Sequence, residues 1–369
     1  MEQYRELFVG LDVAKSRHAV AVADGDRNGE VRYLGEIDTD PTSISRLVAK
    51  LSKRNARLHF CYEAGPTGYG LHRQLTKMGH ECSVVAPSLI PRRPGDRVKT
   101  NRRDALQLAR LLRAGELTAI WVPDEAHEAM RDLVRLRDTA VEDLRRKRQM
   151  ISSMMLRHGR IYPRKKTWGP THAQWLQAQK FSHPTHQLIL QDLLLAVRHA
   201  QERLQRVENA IKEFLPGWSL APVVEALQAL RGVNLVTAAV IMVEVGDLRR
   251  FENPRQLMGY LGLVPGERST GTSVRRLAIT KAGNGRVRRA LVESAWSYRY
   301  TPRTAAPKQR QINRVSPAIK DIAAKAQLRL CGRYRALSAR GKKLNLAVTA
   351  IARELCGFIW AIGKEVQVS

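Results

Sequence analysis

The spacing of hydrophobic positions divides the chain into three textures. Up to about residue 120, short apolar runs alternate with stretches of helical period. Leu7 to Val13 is an apolar run that carries an acid. Ala19 to Ala23 and Val31 to Ile37 read as strands, separated by the turn-rich segment DGDRNGE. Ile44, Leu47, Val48 and Leu51 predict a helix over Pro41 to Lys53, with Thr39, Asp40 or Thr42 available as its cap. Leu58 to Tyr62 is then a strand, Tyr69 to Met78 a helix, Cys82 to Ala86 a strand, and Asn101 to Ala114 a helix ending near Gly115. Three strands, then helix, strand, helix, strand and helix, predict an α/β domain over residues 1–122.

From Pro123 the period lengthens. Met130, Leu133, Leu136, Val141 and Leu144 recur at helical spacing among many charges, as do Leu188, Leu193, Val197, Leu204, Val207 and Ile211. Residues 123–216 therefore read as a long antiparallel helical hairpin with Pro163 to Pro170 at its tip. Helices so charged on one side suit contact with a second subunit or with nucleic acid; a subdomain packed only on its own chain would give the same pattern. The segment PGWSLAP marks the next boundary, and residues 217–369 read as a mostly helical domain, so the fold class is α/β plus α. Val223 to Leu230 and Leu235 to Val245 are helices around the turn RGVN, and Arg255 to Gly262 is a shorter one. Gly266 to Gly271 reads as a polar loop, and RGKKLNLAVTAIARELCGFIW as an apolar helix behind a basic entrance.

Charge then narrows the function classes. The 369 residues include 63 Lys and Arg against 34 Asp and Glu, a formal net charge of +29. Self-repulsion at that charge opposes a compact fold unless a polyanion neutralises it, and nucleic acid fits best. An anionic membrane surface is the rival partner, weakened because no apolar run approaches the length of a spanning helix. The N-terminal MEQYRELFVG is not a signal peptide, its apolar residues belonging to a strand-like run. Cys61, Cys82, Cys331 and Cys356 lie far apart with no zinc-type spacing, as expected of reduced buried thiols in a cytoplasmic protein.

Three acids stand out. Asp12 lies near the end of the first apolar run, where an unpaired buried charge would be costly. Glu63 follows LHFCY directly and precedes the turn AGPTG, and Asp104 opens a helix in KTNRRDA. Carboxylates converging from separate segments at a sheet edge suit Mg2+ or Mn2+, and two such ions roughly 4 Å apart can support phosphodiester chemistry. Each acid could equally cap a helix or pair on the surface, and spacing leaves both readings open. Trp168 and Trp175, after Arg164, Lys165 and Lys166, are candidates to stack on bases.

The order of elements is that of a ribonuclease-H-like domain, and the residues resemble a known family. FVGLDVAK, CYEAGPTGYGL and VKTNRRDALQLARLL resemble the three blocks of the RuvC-like DEDD domain in the insertion-sequence one-ten family of transposases, relatives of the Piv DNA invertase. LRGVNLVTAAVIMVEVGDLRRFENPRQLMGYLGLVPGERSTG and ITKAGNGRVRRALVESAW resemble that family's second domain. The resemblance implies a bacterial, nucleoid-associated recombinase that moves its element without a long staggered target cut. It also implies guidance by a bridge RNA that pairs with donor and target DNA. The family's third block commonly reads KTDxxDA, and Asn101 stands here where the first aspartate would be. Asn101 is then a ligand variant beside Asp12, Glu63 and Asp104, or a sign of reduced activity.

The resemblance also implies a nucleophilic hydroxyl in the second domain, which would store the energy of the cut bond in a phospho-enzyme intermediate. In GERSTG, Ser269 is the less hindered alcohol, and Thr270 is the positional match before Gly271; both could simply satisfy a turn. Lys99, Arg102 and Arg103 near the acids, and Arg268, Arg275, Arg276, Lys281, Arg286, Arg288 and Arg289 near the hydroxyls, are candidates to hold phosphates. RGVN with Thr237 resembles a degenerate helix-hairpin-helix. A site split between distant segments favours assembly as a dimer or tetramer, with the hairpin as the contact. Two other readings remain: a RuvC-like metal-dependent nuclease with no covalent intermediate, and a catalytically silent nucleic-acid-binding protein.

Overall fold

The computed structural model describes residues 5–26, 28–53, 56–91, 100–271 and 273–367, and the chain divides into two compact units, Met1–Val122 and Pro123–Ser369. The first unit runs β1 (Arg5–Val13), β2 (Arg17–Asp24), β3 (Val31–Asp38), α1 (Pro41–Ser52), β4 (Ala56–Glu63), α2 (Gly70–Lys77), β5 (Glu81–Val85) and α3 (Asn101–Arg113). Its five strands form one mixed sheet in the order β3-β2-β1-β4-β5. β1 is antiparallel to β2 and parallel to β4, which is the ribonuclease-H-like arrangement that the order of elements predicts.

The two faces of that sheet are built differently. One carries Leu7, Val9, Leu11, Val20, Val22, Leu58, Phe60 and Tyr62, buried with Ile44, Leu47 and Val48 of α1 and Leu75 of α2. The other carries small residues: Gly10 opposite Ala21, with Ala19 and Ala23 beside them, packed on Ala105 and Ala109 of α3. Small side chains let the α3 backbone approach the strands directly. A Cβ placed on Gly10 would lie 2.4 Å from the Ala105 carbonyl oxygen and 2.5 Å from the Ala109 nitrogen. Glycine is therefore required at that point for α3 to dock where it does.

The second unit opens with α4 (Glu125–Arg157), α5 (Pro170–Gln177) and α6 (Pro184–Phe214). Asp124 caps α4 through a 2.7 Å bond from the His127 amide, and α4 and α6 pack as the long hairpin. Its tip is longer than the predicted Pro163 to Pro170 segment, because α5 is inserted there and brings Leu176 into a separate core with Leu144, Ile151, Leu190 and Leu193. The base of the hairpin instead shares the unit's main core through Met130, Val134, Val207 and Ile211.

That core is completed by α7 (Ala221–Leu227), α8 (Leu235–Val245), α9 (Pro254–Tyr260), β6 (Pro265–Thr270), β7 (Ser273–Ile279), α10 (Gly285–Ala295), α11 (Ala306–Asn313), α12 (Pro317–Ala339) and α13 (Leu344–Glu365). Two expectations change. The polar stretch Gly266 to Gly271 is not a loop but most of β6, antiparallel to β7. And α13 is, by length and composition, apolar enough to cross a membrane, contrary to the reading that no such run exists. Its apolar face is spent on the core: Val348, Ile351, Leu355, Ile359 and Ile362 are each buried there.

Candidate metal and nucleic-acid site

The register of the first sheet brings the predicted acids to one edge. Leu11 of β1 is paired with Tyr62 of β4, so Asp12 and Glu63 are the next residues along two parallel neighbouring strands. In strands, residues two apart share a face. Asp12 therefore lies on the face of Gly10, and Glu63 on that of Cys61. Both belong to the α3 face, because Gly10 abuts Ala105 and the Cys61 thiol lies 3.6 Å from the Leu108 carbonyl oxygen.

Thr100 caps α3 through a 3.3 Å bond from the Arg103 amide, which places Asn101 and Asp104 in the first turn of the helix. Three residues apart, they share a face of the helix. Asp104 immediately precedes Ala105, the residue seated on Gly10, and lies one turn before Leu108, the residue seated on Cys61. Asp12, Glu63 and Asp104 are half-buried and Asn101 is exposed.

This donor set of carboxylate and amide oxygens is of the kind that holds a hard divalent cation. Its backbone placement fits one, since two strand ends and a helix N-terminus meet on one face. The side chains themselves stand apart: among the described residues, no three His, Cys, Asp or Glu are grouped so as to hold a metal ion. Of the flanking cations, Arg102 lies over the Tyr33 ring at 5.5 Å, Arg103 is exposed, and Lys99 lies outside the described residues.

In the second unit, the predicted hydroxyls lie on the β6–β7 hairpin. Ser269 is paired with Val274 and Thr270 with Ser273, next to the turn residue Gly271 with φ of 58°. Ser269 and Thr270 are both exposed, and they point to opposite faces. The Ser269 hydroxyl donates to the Glu267 carboxylate at 2.6 Å, and Glu267 itself is opposite Arg276. The other face carries Thr270 and the like-charged pair Arg268 and Arg275 directly across the strands. Such a pair is unfavourable by itself and suits an anionic ligand. Glu267 was not among the predicted residues. Its signal was the Glu-x-Ser spacing that puts Glu267 and Ser269 on one strand face, hidden while the segment read as a loop.

The remaining basic candidates divide by what already holds them. Arg288 donates to the carbonyls of Leu261, Ala282 and Gly283, which ties the KAGNG loop to the end of α9. Arg286 and Arg289 meet Asp138 of α4 at 2.9 and 3.5 Å. They also line a cleft of about 750 Å³ between α4, α8 and α10, with Arg137, Arg145 and Arg146. Thr237 in the first turn of α8 opens on the same cleft, and Asn234 caps that helix at 2.8 Å. Lys281 is exposed, with a left-handed backbone φ of 58°.

The RGVN turn before α8 is held within the chain. A Cβ on Gly232 would meet the Ser294 oxygen at 2.4 Å, and the Lys308 ammonium donates to the Gln228 and Val233 carbonyls at 2.6 and 2.7 Å. Under the cleft, the Glu244 side chain is only 3% exposed. Its carboxylate accepts two bonds from Arg135, at 2.8 and 2.9 Å, and one from Asn284 at 2.6 Å. Burial alone would raise its pKa, but Arg135, Asn284 and Arg286 together hold it below the usual carboxylate range. Trp168 and Trp175 are half-buried against the hairpin core; His172 stacks on Trp175 and meets Trp168 edge-on, and Arg148 lies over the Trp168 ring at 5.2 Å.

Two family models match the chain. One, described as a transposase of the DEDD type, covers residues 9–159 and so spans β1 through the acids. The other, described as "Transposase IS116/IS110/IS902 family", covers residues 224–309, including β6, β7 and α10. The chain is 59% identical over 364 residues to "Putative transposase y4qE" of Sinorhizobium fredii (strain NBRC 101917 / NGR234), covering 99% of this chain and 90% of that one. It is 32% identical over 349 residues to "Transposase for insertion sequence element IS1533" of Leptospira borgpetersenii, covering 92% of this chain and 99% of that one. Over 247 residues it is 24% identical to "Transposase for insertion sequence element IS1328" of Yersinia enterocolitica, covering 64% of this chain and 71% of that one.

Proposed function

This chain belongs to the IS116/IS110/IS902 family of transposases, enzymes that cut and rejoin DNA, and from that premise we propose a site in two parts. Asp12, Glu63 and Asp104, with the Asn101 amide, form the first part, and Ser269 is the nucleophile of the second. The observation that supports the first part is the shared face: Asp12 and Glu63 lie at the ends of two adjacent strands, on the face where the first turn of α3, with Asp104, is docked. When bound by these residues, Mg2+ or Mn2+ would supply positive charge against the phosphate as its negative charge builds.

The Ser269 assignment is favoured over Thr270 by the bond to Glu267. A carboxylate at 2.6 Å can take the hydroxyl proton as the oxygen attacks. The Oγ–phosphorus bond forms, the bond from phosphorus to the leaving sugar oxygen breaks, and solvent protonates that oxygen. Attack by the sugar hydroxyl of another strand reverses the sequence and frees Ser269. The phosphodiester energy is thereby kept for rejoining, which a water nucleophile would forfeit. Arg268 and Arg275 hold the phosphate backbone on the opposite hairpin face, and Arg286 and Arg289 hold it along the cleft where α8 begins.

A guide RNA pairing with element and target would account for how sequence is chosen, and the net charge of +29 suits a large nucleic-acid load. The hairpin of residues 123–216 serves as a contact between subunits, supported by its exposed Leu156, Ile161, Leu188 and Leu195. The reading is tested by strand cleavage of a supercoiled plasmid carrying the joined element ends, with Mg2+ and with chelator. Asp12→Asn and Glu63→Gln are each expected to abolish cleavage while leaving plasmid binding intact. Full cleavage by either variant, or in chelator, overturns it.

A further inference from the structure

A second concavity opens on the opposite face of the first sheet from the acids, at the same edge. It has a volume of about 550 Å³, and its lining carries Lys15, Arg73 and Lys77 but no carboxylate. Ile44, Leu71 and Val13 form its apolar floor. His18, paired with Val13 across β1 and β2, also lines it; this residue is 5% exposed, and its Nδ1 is buried with no hydrogen-bond partner. Burial lowers the imidazole pKa and so favours the uncharged ring. Helix α2 starts at the pocket wall with Gly70 and has no side-chain cap; the amide of His72 in its first turn is taken by the Tyr62 hydroxyl.

We propose that this pocket takes one unpaired deoxynucleotide of the strand that leads to the acids, its base on the apolar floor against His18 and its phosphate at Lys15, Arg73 and Lys77. Apolar walls with a cationic rim suit a base and a phosphate together, whereas a bare anion needs only the rim. The position supports the same occupant. Val13 follows Asp12 on β1, and Thr67 of the lining stands four residues after Glu63, so a strand crossing this edge meets both features. The proposal rests on the transposase reading for its choice of DNA.

Its test is equilibrium binding to the full-length protein, by calorimetry, of thymidine 5′-monophosphate, thymidine and inorganic phosphate. The monophosphate is expected to bind at least about tenfold more tightly than either fragment. The exposed pair Lys15→Gln/Lys77→Gln is expected to weaken it about tenfold. Gly70→Leu, at the pocket wall, is expected to weaken binding without disturbing the fold, because a Cβ there meets no atom within 4 Å. Inorganic phosphate binding as tightly as the nucleotide would reduce the site to a simple anion site and overturn the proposal. So would unchanged nucleotide affinity in the lysine double variant. Because this assay reads binding, it can fail while strand cleavage persists, and the reverse.

Discussion

Replacing Gly10 by alanine perturbs the acid cluster without touching any acid. The added Cβ would stand 2.4 Å from the Ala105 oxygen and 2.5 Å from the Ala109 nitrogen, both backbone atoms that cannot rotate away. Ordinary contact begins near 3.4 Å, so the α3 backbone must retreat by 3.4 − 2.4, or about 1 Å. Overpacking of this kind costs about 1–3 kcal/mol, and the stiffer unfolded chain returns about 0.4–1 kcal/mol. The net, about 1–2 kcal/mol, lowers the melting temperature by roughly 5 °C and leaves the protein folded at 25 °C. Activity should suffer far more. Asp104 sits beside Ala105 and moves with it, and a misplacement of about 1 Å can cost on the order of a hundredfold in rate. The assay is cleavage of the supercoiled junction plasmid alongside a thermal melt. Gly332→Ala on α12 serves as control, since its Cβ would meet no atom within 4 Å. A folded Gly10→Ala protein that cleaves at the wild-type rate would refute the claim that α3 docking sets the acid geometry.

Other outcomes follow from the same contacts. Glu244→Ala removes the acceptor of Arg135 and Asn284; because the Arg135 side chain is 43% exposed, the expected destabilisation is reduced to about 2–3 kcal/mol, read by urea unfolding. Since the folded-state pKa of Glu244 is depressed, its contribution is full above the ordinary carboxylate pKa of about 4.3 and is lost as pH falls through the folded value. A wild-type advantage over Glu244→Ala that grew on acidification would contradict this. Lysine at both Leu188 and Leu195, which are 65% and 46% exposed, should leave the melting temperature within a few degrees and lower the sedimenting mass. Unchanged mass would clear the hairpin of a role in assembly. Asn101→Asp should match or exceed wild-type cleavage at low Mg2+, and Asn101→Ala should need more metal; full activity of the alanine variant would exclude Asn101 as a ligand.

The first domain was legible because its apolar pattern is unambiguous. Leu7 to Val13 and Leu58 to Tyr62 each end in a run bounded by turn residues, and the acids fall where those runs meet solvent. Which face the acids share was not legible, because that depends on the pairing of Leu11 with Tyr62 and on the contact of Gly10 with Ala105. β6 and β7 escaped the sequence because nearly every residue of both is exposed, which erases the alternation by which a half-buried strand is recognised. Helix α12 was missed for a related reason: between Ile319 and Leu330 its buried face is made by Ala323 and Ala326, and alanine gives little hydrophobic contrast. Arg288 was read as a phosphate ligand from charge alone, and its three carbonyl acceptors are invisible until Gly262 and Gly283 bring the loop against α9.

Recombination, as opposed to hydrolysis, stands or falls on the protein–DNA bond. Denaturing electrophoresis of a cleavage reaction with labelled junction DNA should give a covalent species whose phosphopeptide maps to Ser269. That species should be retained in Thr270→Ala and lost in Ser269→Ala and Asp12→Asn. Cleavage with no covalent species in the wild-type protein, or an adduct that survives Ser269→Ala, would contradict the two-part site.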